Sequence, residues 1–165
     1  MKLDFSQKYA VRPLTAGDVD KILALCAENE QFYRYHPPLA TKESVLEDLS
    51  ALPPGKNAAD KHYLGFFDGK TLVAVLDLIL DYPQEGTAYL GFFMTKKATQ
   101  RRGIGSALIG ELLDELRREK FRKVRLAIDR GNPQSRAFWE KNGFALTGEE
   151  VPHNASAYLP MEREI

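Results

Sequence analysis

The chain has 165 residues, which at about 150 residues per domain predicts a single domain over 1–165. Apolar residues make up 44% and charged residues 28%, the balance of an ordinary globular protein and not of a disordered one. Lys plus Arg and Asp plus Glu each number 23, so the formal net charge is zero, which argues against a general nucleic-acid binder.

The one cysteine, Cys26, excludes an internal disulfide and a Cys-based zinc site, and it fits a reducing cytoplasm. His36, His62 and His153 lack metal-ligand spacing, so no metal is expected. Met1-Lys2-Leu3-Asp4 opens no apolar stretch of signal-peptide type. The most apolar segment, Thr71 to Leu80, is interrupted by Asp77 and is about half the length of a membrane span. A cytoplasmic protein with no membrane partner is expected.

Tyr9 to Leu14 alternates apolar and polar residues and predicts a short strand. Thr15-Ala-Gly-Asp18 reads as a helix start, with Thr15 as cap and an acidic residue three positions on. Val19, Ile22, Leu23, Leu25 and Cys26 follow at helical spacing. Gln31 to Pro38 then crowds four rings and two prolines into one loop, and Thr41 caps a second helix reaching about Leu49. Leu52 to Asn57 reads as a surface loop. Tyr63–Phe67, Asp68-Gly69 and Leu72–Leu76 form a hairpin with the turn at Asp-Gly. Ala88–Met94 is a further strand.

Gly103 to Lys120 is a helix with one apolar stripe: Leu108, Ile109, Leu112, Leu113 and Leu116. Val124–Ile128 is a strand. Asn132-Pro133 opens a short helix that Gly143 ends. Phe144 and Ala155–Met161 supply the last strands. The order predicts a mixed α/β (α+β) layer fold.

Gln100-Arg-Arg-Gly-Ile-Gly-Ser106 lies between a strand and the amphipathic helix. Two glycines let backbone approach a ligand, and the first amides of a helix have no internal partners. The positive end of the helix dipole and Arg101 and Arg102 favour an anion there, a phosphate or pyrophosphate. The alternative is a plain strand-to-helix turn with solvated arginines. A dinucleotide fingerprint fails, because its third glycine would fall at Leu108, and no Lys-Ser/Thr of a P-loop follows.

This segment resembles the first signature of the GCN5-related N-acetyltransferases (GNAT), Gln/Arg-x-x-Gly-x-Gly/Ala after the fourth strand, with Gln100, Gly103 and Gly105 in the marked places. Asn132-Pro-Gln-Ser-Arg-Ala-Phe-Trp-Glu-Lys-Asn-Gly-Phe144 resembles the second: an Asn, an aromatic seven residues on, then Gly-Phe. The resemblance spans Val11 to Glu162. It implies a central mixed sheet of six to seven strands, helices on both faces, and splayed fourth and fifth strands. It implies acetyl-CoA as co-substrate, with its pyrophosphate on the amides of the Gln100–Ser106 turn, so that Arg101, Arg102 and Ile104 belong to the cofactor contacts. The pantetheine arm would pair with backbone near Phe92–Met94, Phe93 included, and Asn132 would hydrogen-bond it. Ser135, Phe138 and Trp139 complete the implied cofactor set. A backbone N–H near Met94 would receive the oxyanion, and an amine would attack the thioester without an acyl-enzyme.

Two residues common in that family are absent. The tyrosine acid, seven residues after the asparagine, is Trp139, whose indole releases no proton at neutral pH. The glutamate base on the fifth strand falls near Ala127. A thiolate can leave unaided, but the amine still needs a base or a water chain. Asp77, Glu85 and Tyr89 are the candidates, with Asp81 nearby. A carboxylate inside an apolar run costs free energy unless paired or useful, although Asp77 could simply turn to solvent on an edge or bulge. Tyr33, Tyr35 and His36 of the ring-rich loop, with His153 and Tyr158 of the C-terminal strands, are candidate acceptor walls. They could equally be packing or solvated residues.

The reading is acetyl-CoA-dependent N-acyl transfer to an amine. A small molecule is favoured over a protein amine, because no peptide groove can be read. A homodimer through the late strands, common among look-alikes, stays open. One rival is a CoA-binding module without catalysis. The other is a partner or nucleic-acid binder using Arg101, Arg102, Arg117, Arg118, Arg122 and Arg125.

Overall fold

In the computed structural model, which describes residues 1–165, the first alternating stretch forms β1 (Ala10–Pro13). Thr15 then caps reciprocally: its hydroxyl accepts from Gly17 N at 3.3 Å, and its own N donates to Asp18 Oδ2 at 3.0 Å. One 3₁₀ turn (Ala16–Asp18) leads into α1 (Val19–Ala27).

Asp18 is buried, and Arg12 grips both its oxygens, at 2.8 and 2.7 Å. That guanidinium holds the Asp18 carboxyl down at about 2 against an ordinary 3.8. A depressed carboxyl contributes stability above its unfolded value and loses it as pH falls through its folded one. The contribution is on the order of 2 kcal/mol, lost between about pH 4 and pH 2. Asp18→Asn is expected to flatten this acid limb in urea titrations. A variant with the same acid limb as the parent would refute the assignment.

The ring-rich segment is not all loop: Glu30–Tyr33 makes one helical turn, α2. Thr41 caps α3 (Lys42–Ser50), accepting from Ser44 N at 3.1 Å while Ser44 Oγ accepts from Thr41 N at 2.9 Å. β2 (Lys61–Asp68) and β3 (Thr71–Ile79) turn at Asp68-Gly69, where Gly69 takes φ +57°. β4 (Thr87–Thr95), α4 (Ile104–Arg118), β5 (Lys123–Asp129) and α5 (Pro133–Lys141) follow as expected. The C-terminal region differs in detail. Phe144 is a buried core residue outside any strand, and the single strand expected from Ala155 is instead one arm of a hairpin. β6 (Ala145–Leu146) and β7 (Val151–His153) both pair with β8 (Ser156–Glu164). Val151-Pro-His153 is exposed along its length and so carries no alternating pattern.

The sheet has eight strands in the order β1-β2-β3-β4-β5-β8-β6, with β7 on β8. Two of them, β6 and β7, are only two and three residues long. Every pairing is antiparallel except β4 with β5. Alternation along β3 sends Leu76 and Leu78 to one core and Val75 to another. The first core packs under the α4 stripe of Leu108, Leu112 and Leu116. The second packs under Ile22 and Leu25 of α1 and Val45 of α3. Helices therefore cover both faces. No helix is long and apolar enough to cross a membrane.

Two irregularities open the middle of the sheet. Leu78 faces Leu90 but Asp77 faces Phe92, so Gly91 is an extra residue in β4. This bulge resets the alternation and bends the strand. β4 and β5 then pair only over Thr87–Leu90 and Lys123–Leu126. Gly91–Thr95 keeps β3 on one side and has no strand on the other.

Candidate active site

A cavity of about 930 Å³ fills the gap where β4 and β5 diverge. One end is the turn before α4. Arg101 (φ 58°) and Gly103 (φ 76°) both take left-handed backbone there. The first α4 hydrogen bond off the turn runs from Ala107 N to Gly103 O at 3.0 Å, so the preceding amides lack helical partners. Left-handed residues beside a helix N-terminus turn successive amides inward and form an anion-binding nest. Lys97, Arg101 and Lys141 line the cavity at this end, whereas Arg102 and Ile104 do not. Arg102 is exposed, and Ile104 packs against the core.

Gln100 lines the cavity, but its side-chain NH2 is already used. It donates to Asn29 Oδ1 at 2.6 Å and to Thr95 O at 3.1 Å. Asn29 in turn donates to Leu25 O and Thr95 O, and Glu28 accepts from Lys97 N at 3.1 Å. The end of α1 is thereby tied to the anion turn. Gly105 lets α4 approach α5, since a Cβ there would lie 3.1 Å from the Phe138 ring. Ser106 Oγ accepts from Asn142 Nδ2 at 3.1 Å, joining the same two helices.

Phe93, Met94, Asn132, Ser135, Phe138 and Trp139 all face the cavity. Asn132 caps α5, its Oδ1 accepting from Ser135 N at 3.2 Å, which leaves its NH2 free for a ligand. Phe138 stacks near Phe93, with centroids 6.1 Å apart. Trp139 sits edge-on to Phe138 and Phe144 at 4.9 and 5.2 Å and is largely buried. It is a packing residue at the cavity wall.

The candidate bases separate. Tyr89 lines the cavity with its hydroxyl pushed up by burial. Glu85 lies exposed in the outer β3–β4 turn, which Asp81 closes by accepting from Gly86 N at 2.7 Å. Asp77 is not among the lining residues. Both its oxygens are 2.9 Å from Lys61 Nζ, in a pair with side chains 16% and 6% exposed. Burial still pushes its carboxyl up, with Lys61 opposing.

Of the acceptor candidates, His36 and Tyr158 reach the cavity. Tyr33 packs edge-on to Phe32 at 5.0 Å outside it, Tyr35 is at the surface, and His153 stacks on Tyr158 at 4.5 Å without lining the cavity. Asp129 is the residue that sequence reasoning missed. It closes β5, is buried, and holds His36. Its signal was available: it lies two residues beyond Ala127, on the same strand face. Phe32 of the ring-rich segment lines the cavity as well, and Asn29, Lys97 and Lys141, which no motif marked, line it too.

An acetyltransferase of Thermus thermophilus superposes with a TM-score of 0.77 at 22% identity, covering 100% of both chains. The PaiA N-acetyltransferase of Thermoplasma acidophilum, solved in complex with coenzyme A, gives 0.69 at 20% identity over 95% of this chain and 99% of that one. The ribosomal-protein-S18-alanine N-acetyltransferase of Escherichia coli gives 0.69 at 15% identity over 95% and 94%. At these identities the likeness is one of fold. No curated protein matches the chain. The family model described as Acetyltransferase (GNAT) family matches residues 23–144, from α1 through both motif segments, and the chain belongs to that family.

Proposed function

We propose that the protein moves an acetyl group from acetyl-CoA to an amine, in one step and without an acyl-enzyme. The observation that carries this reading is the union of two features in one cavity: the amide turn of Gly103–Ser106 and the unpaired β5-side edge of Gly91–Thr95. A pyrophosphate suits the first by charge and by unpartnered donors. An amide-bearing pantetheine arm suits the second, because a free strand edge offers alternating donors and acceptors. Asn132 Nδ2 supplies a further donor, and Phe93 and Phe138 supply apolar walls.

In this reading the amine nitrogen attacks the thioester carbonyl, and an amide of the β4 edge, at Met94, receives the developing oxyanion. The C–S bond breaks and the thiolate leaves. With Trp139 at the place of the usual acid, it leaves unaided. The acceptor is an amine carried by a small molecule.

Titration calorimetry with coenzyme A, followed by thiol release from acetyl-CoA over an amine panel, tests the reading. Saturable heat together with amine-dependent release is expected. Absence of heat on folded protein overturns the proposal. Heat without release on any amine favours a binding module, the reading that the lost tyrosine acid suggests.

A further inference from the structure

We propose that His36 takes the proton from the attacking amine and that Asp129 positions it to do so. The inference rests on the acyl-transfer reading and adds the base that the two motifs do not supply. His36 Nδ1 lies 3.1 Å from both oxygens of Asp129. A carboxylate only accepts, so Nδ1 carries the hydrogen and Nε2 keeps its lone pair. The pair joins two distant parts of the chain: the loop after α2 and the last residue of β5, 93 positions apart.

The imidazole sits at the mouth of the gap. It stacks on Phe32 at 5.2 Å and faces Tyr158 at 6.1 Å, both with interplanar angles of 30°. Phe32 reaches across to Phe92 of β4 at 6.1 Å. Tyr158 is the sheet partner of Asp129. The ring is thus held on three sides by β4-, β5- and β8-linked groups, and its side chain is still 42% exposed. In the step, the amine nitrogen forms the C–N bond to the acetyl carbon, and its proton passes to His36 Nε2. The C–S electron pair leaves with the coenzyme A thiolate, which solvent then protonates.

Asp129 raises the His36 pKa above its ordinary 6.5, with Asp48 of α3 adding to the effect and burial opposing it. Tyr158, the other titratable group against the ring, has its hydroxyl pushed up by burial and is neutral at these pH values. Phe32 brings no charge. The base form therefore grows as pH rises through a value above 6.5, and the rate rises with it.

Thiol release from acetyl-CoA is measured against pH with two probe acceptors, benzylamine and an alanyl peptide. The His36 imidazole is titrated separately by NMR in the free protein. His36→Gln is expected to lower kcat/KM by about 10²-fold or more and to abolish the inflection, while the calorimetric heat with coenzyme A persists. Added imidazole should restore part of the rate in His36→Ala, which a merely structural clamp would not allow. Asp129→Asn should move both the rate inflection and the NMR titration of His36 downward. A wild-type His36 titrating below 6.5, or one that Asp129→Asn leaves unmoved, overturns the positioning role whatever the acceptor. Wild-type turnover with an unchanged profile in His36→Gln overturns the base and leaves acyl transfer standing. No release from wild type with either probe defeats the acyl-transfer reading and the base together.

Discussion

Asp77→Ala is expected to cost about 3–5 kcal/mol of folding stability, read as a lower urea midpoint at constant slope. The substitution strands the Lys61 ammonium, whose side chain is 6% exposed and holds both Asp77 oxygens at 2.9 Å. Breaking one side of a buried pair leaves a charge without compensation, which costs far more than the intact pair contributes. Lys61 also lies 5.4 Å from the Tyr63 ring centroid, a cation–π contact too weak to replace the lost carboxylate. The double substitution Lys61→Met with Asp77→Leu should recover most of the loss, since apolar groups of similar volume replace an ion pair at little cost.

The site at stake is the β4 bulge. A Cβ on Gly91 would lie 3.1 Å from Asp77 Oδ2, so the carboxylate packs directly against the extra residue that bends β4. Asp77→Asn should then leave the position of the pH–rate inflection unchanged. A stability loss below about 1 kcal/mol in Asp77→Ala would refute the buried-pair account. A shifted inflection in Asp77→Asn would make Asp77 the base instead of His36.

Gly103→Val is expected to weaken coenzyme A binding at least about 100-fold, close to 3 kcal/mol. Gly103 takes φ +76° at the cap of α4, where a β-branched residue is strained. A Cβ there meets nothing within 4 Å, so the valine would stand in open space beside the proposed anion turn and not against protein. Asn tolerates left-handed backbone, and Gly103→Asn therefore separates strain from obstruction: a partial loss assigns the rest to strain. Gly110→Ala lies farther along the same helix in open space. It should leave binding intact and add about 0.5–1 kcal/mol of stability through helix propensity. Folded Gly103→Val protein with unaltered affinity would remove the turn from the binding site.

The legible parts of this protein were those that neighbours within one or two turns decide. The α4 stripe of Leu108, Leu112 and Leu116 is a 3.6-residue period, and it became the centre of the larger core. Thr15, Thr41 and Asn132 are caps whose oxygens meet amides two or three positions on, and each caps as read. The Asp68-Gly69 turn and the Gly103–Ser106 turn announced themselves through residues that tolerate positive φ. Where local pattern was weak, the reading failed in proportion. The exposed Val151-Pro-His153 strand has no alternation, and only its pairing with β8 makes it a strand.

Sequence by itself determined most of the elements, the glycine-bearing turn before α4 and the family, because periodicity, capping and glycine placement act over a few residues. Tertiary structure alone decided which charges meet. The β2–β3 register sets Lys61 diagonally across from Asp77, within reach of its carboxylate, and the fold brings Asp129 at the end of β5 to His36. The first needs two strands in register, and the second needs a ring-rich loop folded back over the sheet. Long-range geometry of that kind leaves no periodic trace in the chain, since residues 93 apart share no turn, strand or cap.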